Sequence, residues 1–264
     1  MATPERHEPN SASTTVAEPD PIFDPIPNSI EEARKRLIVA LDVPNAPAAL
    51  ELVNRLEHTC QWFKVGMELF TAAGTAAVEP LVARGYSVFL DLKFCDIPNT
   101  VAGAVRSAAA LGVRLITLHA CGGPAMLAAA QEALAGLANP PQLLAVTVLT
   151  SMDQAQTSAI GLNRTPGEQV ELLARMGLEA GIRGFVCSPQ EVSTLRTLTG
   201  PEGVLVIPGI RPAGSQTGDQ KRIATPADAL RNGASYLVVG RPITQAPDPA
   251  QAAEAILAQM AEAL

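Results

Sequence analysis

Residues 88–100 read VFLDLKFCDIPNT, an apolar run that ends in charged residues and continues into the start of a helix. Asp91 and Lys93 are two positions apart, so on a β-strand their side chains point to the same face. Asp96 follows in the predicted turn. A strand buries charged side chains only where they are paired with an opposite charge or take part in function. This row of alternating charges therefore predicts a polar site inside an apolar scaffold. The alternative is a structural salt bridge at a strand end.

The rest of the chain repeats this change from a short apolar run to a longer segment of helical period. Most of the predicted strands are continuous apolar runs, as parallel strands buried on both faces should be. Eight strand–helix units in about 230 residues predict an α/β protein with the (β/α)8, or TIM, barrel fold. Strands are predicted at 36–41, 62–66, 87–91, 114–119, 142–147, 183–187, 203–207 and 235–239, and helices at 46–57, 68–83, 99–111, 123–137, 167–181, 189–198, 226–232 and 248–263.

A doubly wound open sheet is the alternative fold. A sheet of this kind usually carries a glycine-rich dinucleotide-binding turn after its first strand. In this chain the first predicted strand is followed by Asp42-Val43-Pro44-Asn45, so the barrel is favoured.

Composition limits what a chain of 264 residues can be. Residues 1–30 are rich in Pro, Ser, Thr and acidic residues and are predicted to form a disordered tail, which leaves residues 31–264 for one barrel domain. No apolar run is long enough for a membrane span, and the polar first ten residues predict no signal peptide. The net charge of −7 argues against general nucleic-acid binding. Four cysteines without metal-type spacing indicate reduced thiols in a cytoplasmic protein.

Further polar residues stand at the carboxyl ends of the predicted strands. Because TIM-barrel enzymes build their active sites at this end of the barrel, the concentration of polar groups there predicts a shared site. Taken singly, each residue also has a structural explanation, such as capping of the next helix by Asp42. The residues are Asp42, Lys64, His119, Thr150, Arg211 and Arg241.

The loops after the last two predicted strands suggest a phosphate site. Gly209-Ile210-Arg211 opens a long loop, and Gly240-Arg241 follows the final strand. Barrels often bind phosphate with these two loops, since glycine lets backbone N–H groups approach the oxygens and arginine adds charge-assisted hydrogen bonds. The alternative for Gly240-Arg241 is a simple turn at a strand end.

Metal chemistry and nucleophilic catalysis are not indicated. The sequence has no His, Asp and Glu cluster at metal-ligand spacing, and no spacing that supports a Ser-His-Asp triad. His119 is predicted to be a hydrogen-bonded residue at the barrel rim. Cys95 has no dedicated base and is not expected to act as a nucleophile.

These segments together resemble the orotidine 5′-phosphate decarboxylase family of the bacterial type. The pattern Asp-x-Lys-x-x-Asp of Asp91, Lys93 and Asp96 is specific to its superfamily. Cys95 departs from the family, which usually has His at this spacer position, so local packing rather than chemistry should change. The matching blocks run in the family's order and cover everything except the tail: 41–44, 63–69, 91–100, 146–151, 208–211, 218–220 and 239–244.

The resemblance implies a decarboxylase without metal or cofactor, which converts orotidine 5′-monophosphate to UMP and CO2, the last step of de novo UMP synthesis. It also implies a homodimer in which Asp96 and Thr100 reach the partner's site. Lys93 would donate the proton within a charge network that includes Asp91 and Asp96. For the substrate, the implied contacts are Asp42 and Lys64 at the ribose, Thr150 at the pyrimidine edge, and Arg211, Gln220, Gly240 and Arg241 at the phosphate.

Two other functions fit parts of the pattern. A sister enzyme of the superfamily, a metal-dependent sugar-phosphate decarboxylase or aldolase, shares the row of Asp91, Lys93 and Asp96. A non-catalytic nucleotide-binding protein would keep the phosphate site, although the intact charged row argues against it.

Overall fold

The computed structural model describes Met1 and residues 28–212 and 222–264. Its strands are all parallel and form a closed barrel in chain order, with β8 pairing back to β1. This confirms the predicted TIM barrel. The strands are β1 (Leu37–Ala40), β2 (Trp62–Gly66), β3 (Ser87–Phe94), β4 (Leu115–His119), β5 (Gln142–Val146), β6 (Gly184–Val186), β7 (Val204–Ile207) and β8 (Tyr236–Val239).

Helices connect the strands, and several begin at a side chain that caps the first turn. Asn45 accepts a hydrogen bond from the backbone of Ala48, and Thr165 forms a capping box with Glu168. The α-helices are α1 (Asn28–Arg34), α2 (Ala46–Arg55), α3 (Met67–Ala73), α4 (Glu79–Ala83), α5 (Pro98–Ala110), α6 (Pro124–Glu132), α7 (Gln154–Ala159), α8 (Pro166–Glu179), α9 (Val192–Thr199), α10 (Pro226–Arg231), α11 (Arg241–Thr244) and α12 (Pro249–Ala261).

The structure departs from the predicted elements in a few places. The helix predicted at 68–83 is divided into α3, a short 3-10 helix and α4, because Gly74 ends α3 at a φ of 59° and Pro80 lies in the first turn of α4. Helix α7 forms between the strand predicted at 142–147 and the helix predicted at 167–181, where the sequence predicts no helix. Helix α1 includes residues 28–30 of the predicted tail, and the rest of that tail, except Met1, lies outside the described residues.

Alternation along the strands produces two apolar layers. Leu37 and Val39 of β1 point outward into the main core under the helices, whereas Ile38 and Ala40 point into the barrel. Toward the carboxyl end the inward positions of β2, β3 and β4 become polar. The interior apolar cluster consists of Ile38, Ala40, Phe89, Leu115, Leu144, Val206 and Val238.

No helix in the described part of the chain is both long enough and apolar enough to span a bilayer.

Candidate active site

A cavity of about 850 Å³ opens at the carboxyl ends of the strands. Apolar side chains of the barrel interior, among them Ala40, Phe89 and Val238, lie at its base. Most of the site residues predicted from the sequence line it, so residues distant in the chain meet in one place. The predicted residues that line the cavity are Asp42, Lys64, Asp91, Lys93, Thr150, Arg211, Gly240 and Arg241.

Four of these side chains form a row of alternating charge. Lys64 Nζ lies 2.9 Å from Asp42 Oδ1 and 3.7 Å from Asp91 Oδ2. Lys93 Nζ then lies 2.8 Å from Asp91 Oδ1 and 2.9 Å from Asp91 Oδ2. Within one chain, Asp42 and Lys64 therefore extend the charge network of Asp91 and Lys93. Each ammonium in the row has at least one carboxylate partner.

The strands explain why these charges meet. Pairing of β1 with β2 sets Ala40 beside Lys64, and pairing of β2 with β3 sets Gly66 beside Asp91. Lys64 is 8% exposed, so its ammonium is held largely away from solvent. A Cβ added to Gly66 would lie 2.7 Å from Lys64 Nζ, so the absence of a side chain there makes room for the ammonium.

Opposing effects set the protonation of Asp91. Burial alone would raise the pKa of its carboxyl group, but Lys64 and Lys93 attract the ionised form, and hydrogen bonds from Lys93 and Thr117 add to that attraction. The net effect is a pKa below the usual range. Asp91 is therefore a carboxylate at neutral pH.

His119 ends β4 at the same rim and is half-buried. Burial lowers the pKa of its imidazole, and the nearby ammonium of Lys93 lowers it further, while Asp91 acts in the opposite direction. His119 is therefore mainly neutral at pH 7 and offers a hydrogen-bonding ring rather than a charge.

Thr117 was not identified from the sequence. It is fully buried in β4, where its hydroxyl contacts both Asp91 and the backbone of Lys93. The only signal is that it interrupts an otherwise apolar stretch, and a buried threonine in a strand is ordinarily explained by packing.

Asp96 and Thr100 are exposed and do not line the cavity of their own chain. Asp96 Oδ1 accepts a hydrogen bond from the backbone of Ile97 at 2.6 Å, and no ion pair between Asp96 and Lys93 occurs in the described part of the chain. The structure thus does not bring Asp96 to Lys93 within one chain. The expectation that both residues serve a partner's site stays a prediction.

The predicted phosphate residues that the structure describes follow β7 and β8, whereas Lys93 lies on β3. Arg211 is buried, and its backbone N–H donates to Ala224 O at 3.0 Å, while Ile210 and Ala224 form an isolated bridge. These contacts hold together the two ends of the loop after β7. Arg241 starts α11 and is exposed. Gln220 lies outside the described residues.

A buried ion pair, also not predicted, connects three loops around the cavity. Arg222 Nη1 bonds to Glu191 Oε1, and Arg222 Nη2 donates to Leu149 O at 3.0 Å. Glu191 in turn accepts hydrogen bonds from the hydroxyl and the backbone N–H of Ser188. The pair therefore ties the loop after β7 to those after β5 and β6, next to Thr150.

The cysteines fall into two groups. Cys60 and Cys187 are buried, and burial raises the pKa of Cys60 to about 12. Cys95 and Cys121 are exposed, and Cys95 is not among the residues that line the cavity. Among the described residues, no three His, Cys, Asp or Glu side chains are grouped so that they could hold a metal ion.

Comparisons with known proteins find relatives that match most of this chain. Orotidine 5′-phosphate decarboxylase from Nitrosococcus oceani is 55% identical over 227 residues, covering 86% of this chain and 98% of the relative. The enzyme of that name from Moorella thermoacetica is 54% identical and covers 86% and 93%, respectively. A crystal structure of orotidine 5′-phosphate decarboxylase from Lactobacillus acidophilus has a TM-score of 0.74 at 40% identity, covering 85% of this chain and 98% of that one.

The sequence profile described as "Orotidine 5′-phosphate decarboxylase / HUMPS family" matches residues 35–256, which span the barrel from the end of α1 into α12. This range contains the four charged residues of the row and both arginines of the cavity. The chain belongs to the orotidine 5′-phosphate decarboxylase / HUMPS family.

Proposed function

We propose that this protein decarboxylates orotidine 5′-monophosphate to uridine 5′-monophosphate and CO2, the last step of de novo UMP synthesis. The observation that carries the proposal is the row Asp42–Lys64–Asp91–Lys93 in a cavity that also contains Arg211. The relatives named orotidine 5′-phosphate decarboxylase support the same reaction.

Lys93 is the residue to which we assign the chemistry. When the bond between C6 of the pyrimidine and the carboxylate breaks, the electron pair stays on C6 and CO2 leaves. An ammonium beside that carbon stabilises the charge as it develops and then donates its proton to form the C6–H bond. The neutral amine left on Lys93 recovers a proton from solvent before the next turnover. Its contact with Asp91 holds the ammonium in position.

Asp91 would also lie near the departing carboxylate of the substrate. Two like charges about 4 Å apart at an effective dielectric of about 20 repel by about 4 kcal/mol. Such repulsion accelerates the reaction only where it is relieved in the transition state. Because Lys64 and Lys93 neutralise much of the charge on Asp91, we rank stabilisation of the carbanion first.

The remaining site residues are assigned to the parts of the substrate that do not react. Asp42 and Lys64 would contact the ribose hydroxyls, and Thr150 the edge of the pyrimidine. At the phosphate end we expect charge-assisted hydrogen bonds, which hold the ring against Lys93. The residues assigned to the phosphate are Arg211, Gln220, Gly240 and Arg241.

We further propose a homodimer in which Asp96 and Thr100 enter the partner's cavity. Both residues are exposed at the rim of β3 and α5, within a continuous exposed stretch over residues 95–100. Sedimentation would test the dimer. The free cysteines fit a cytoplasmic location.

The proposal is tested by following orotidylate loss in the ultraviolet, with purified protein in excess chelator. We expect full activity under those conditions. Activity that disappears with chelator and returns with a divalent ion would favour a metal-dependent enzyme of the same superfamily. Binding of UMP without any turnover of orotidylate would favour a nucleotide-binding protein instead.

A further inference from the structure

Thr117 lies at the centre of β4 and makes two hydrogen bonds to the charged row. Its Oγ1 accepts a hydrogen bond from the backbone N–H of Lys93 at 2.9 Å and donates one to Asp91 Oδ1 at 3.0 Å. The side chain is fully buried and does not line the cavity. Thr117 therefore contacts both members of the Lys93–Asp91 pair without reaching the space that substrate would occupy.

The backbone of Lys93 is in an unusual conformation. Its φ is 52°, and it is the one residue other than glycine with positive φ in the described part of the chain. A side chain with a Cβ is disfavoured in that region, so the surrounding structure must hold it there. Backbone strain of this kind at a residue of the proposed site indicates that the placement of its side chain is important for function.

The register of the barrel changes at the same place. Leu90 pairs with Ile116 and Phe94 pairs with Leu118, so β3 uses two more residues than β4 across this interval. The regular ladder is interrupted there, and the N–H of Lys93 donates to a side-chain hydroxyl instead of a backbone carbonyl. Thr117 thus replaces a ladder contact where β3 bulges.

The direction of both hydrogen bonds follows from the chemistry of the groups. A backbone N–H can only donate, and an ionised carboxylate can only accept. The single proton of the hydroxyl must therefore point to Asp91, which leaves an oxygen lone pair for Lys93. One rigid side chain, branched at Cβ, consequently fixes the backbone of Lys93 and the carboxylate that holds its ammonium.

We propose, on the basis of the proposed role of Lys93, that Thr117 is a positioning residue for decarboxylation. It holds the bulge in β3 so that the Lys93 ammonium and the Asp91 carboxylate keep one relative placement. Loss of the hydroxyl releases the backbone of Lys93, and its ammonium moves away from the reacting carbon. A misplacement of about 1 Å lowers the rate about 10²-fold.

The test compares two substitutions at this position. Thr117→Val keeps the shape and removes both hydrogen bonds, and we expect kcat to fall about 10²-fold. KM should change little, since the two hydrogen bonds of Thr117 are to Lys93 and Asp91 and not to the residues assigned to the phosphate. Thr117→Ser keeps the hydroxyl and should stay within several-fold of the wild-type kcat. The matched control is Thr199→Val, a buried threonine on α9 that bonds to Gly200 O, and it should leave kcat unchanged.

Thermal unfolding and the Kd for UMP establish that each variant is folded and binds ligand. If Thr117→Val has wild-type kcat, or if Thr117→Ser loses as much activity as Thr117→Val, the inference is wrong. Failure of both Thr117→Val and Thr117→Ala to fold, beside an active Thr117→Ser, would assign the hydroxyl to folding and also overturn it. Absence of turnover in the wild type would instead reject the proposed function itself.

Discussion

Asp91 holds the ammonium of Lys93 with both of its carboxylate oxygens, at 2.8 and 2.9 Å from Nζ. The same carboxylate lies 3.7 Å from Lys64 Nζ, so one acidic group orients two cations at the end of a buried strand. This arrangement explains how a largely buried carboxylate keeps its charge, since both lysines lower the pKa that burial would otherwise raise.

Removal of the Lys93 ammonium should abolish turnover. Lys93→Ala takes away the proton donor and the cation nearest the developing carbanion, and general acid catalysis alone is worth about 10²–10⁴-fold. We expect kcat to fall by at least about 10⁴-fold when the electrostatic contribution is included. The control is Lys35→Ala, an exposed lysine on the surface near α1. Near-wild-type turnover by Lys93→Ala would reject the assigned role.

Gly66 leaves the space that the Lys64 ammonium occupies. In Gly66→Ala the new Cβ would stand 2.7 Å from Nζ, so the flexible lysine must move and its 2.9 Å contact with Asp42 lengthens. A hydrogen bond to a charged group is worth about 1.5–3 kcal/mol, so we expect kcat/KM to fall about 10-fold or more. Gly167→Ala is the control, because an added Cβ meets nothing within 4 Å there. Equal kinetics for the two variants would contradict this account.

The buried pair of Glu191 and Arg222 should contribute strongly to stability. Glu191→Ala leaves the buried guanidinium without its carboxylate, and we expect the free energy of unfolding to fall by about 3–5 kcal/mol. For comparison, Glu171→Ala breaks an exposed pair with Arg175 on α8 and should cost no more than about 0.5 kcal/mol. Denaturant unfolding measures both. If the free energy of unfolding fell by a similarly small amount in both variants, the buried pair would stabilise the fold no more than an exposed pair does.

Much of this site follows from rules that can be applied to the sequence. The barrel was predicted because its strands are continuous apolar runs, and Asp42, Lys64, Asp91 and Lys93 were predicted because polar groups at the carboxyl ends of barrel strands converge. The contribution of Thr117 could not be predicted in that way. Its role depends on a bulge in β3 and on a positive φ at Lys93, and neither has a local signature in an apolar strand.

The pairing of Glu191 with Arg222 also could not be predicted from the sequence. The two residues are 31 positions apart, and each has an ordinary explanation, as a helix-start residue or as a loop residue. Only the closed barrel brings the loops after β5, β6 and β7 together. Interactions of this kind depend on tertiary geometry, whereas the position of a charge at a strand end depends only on the pattern along the chain.

His119 should make stability depend on pH in the weakly acidic range. Its pKa is lowered in the folded protein, mainly by burial and then by Lys93, while the unfolded chain has the ordinary value of about 6.5. Between those two values the unfolded state binds more protons, so the free energy of unfolding falls as pH decreases through that interval. Urea unfolding from pH 7 to pH 5 would measure this slope. His119→Gln should have a shallower slope than wild type, and an unchanged slope would assign the dependence to other groups.

Asp96 offers a direct test of the shared site. If it acts in the partner's cavity, Lys93→Ala and Asp96→Asn homodimers are both inactive, yet a mixed dimer has one site with both substitutions and one intact site. Random assortment of equal amounts makes half of the dimers mixed, so about one quarter of wild-type activity returns on co-refolding. The control mixes Lys93→Ala with Asp91→Asn, both within one chain's own row, and random assortment leaves no intact site. If Asp96 instead served its own chain, the mixture of Lys93→Ala with Asp96→Asn would stay as inactive as that control.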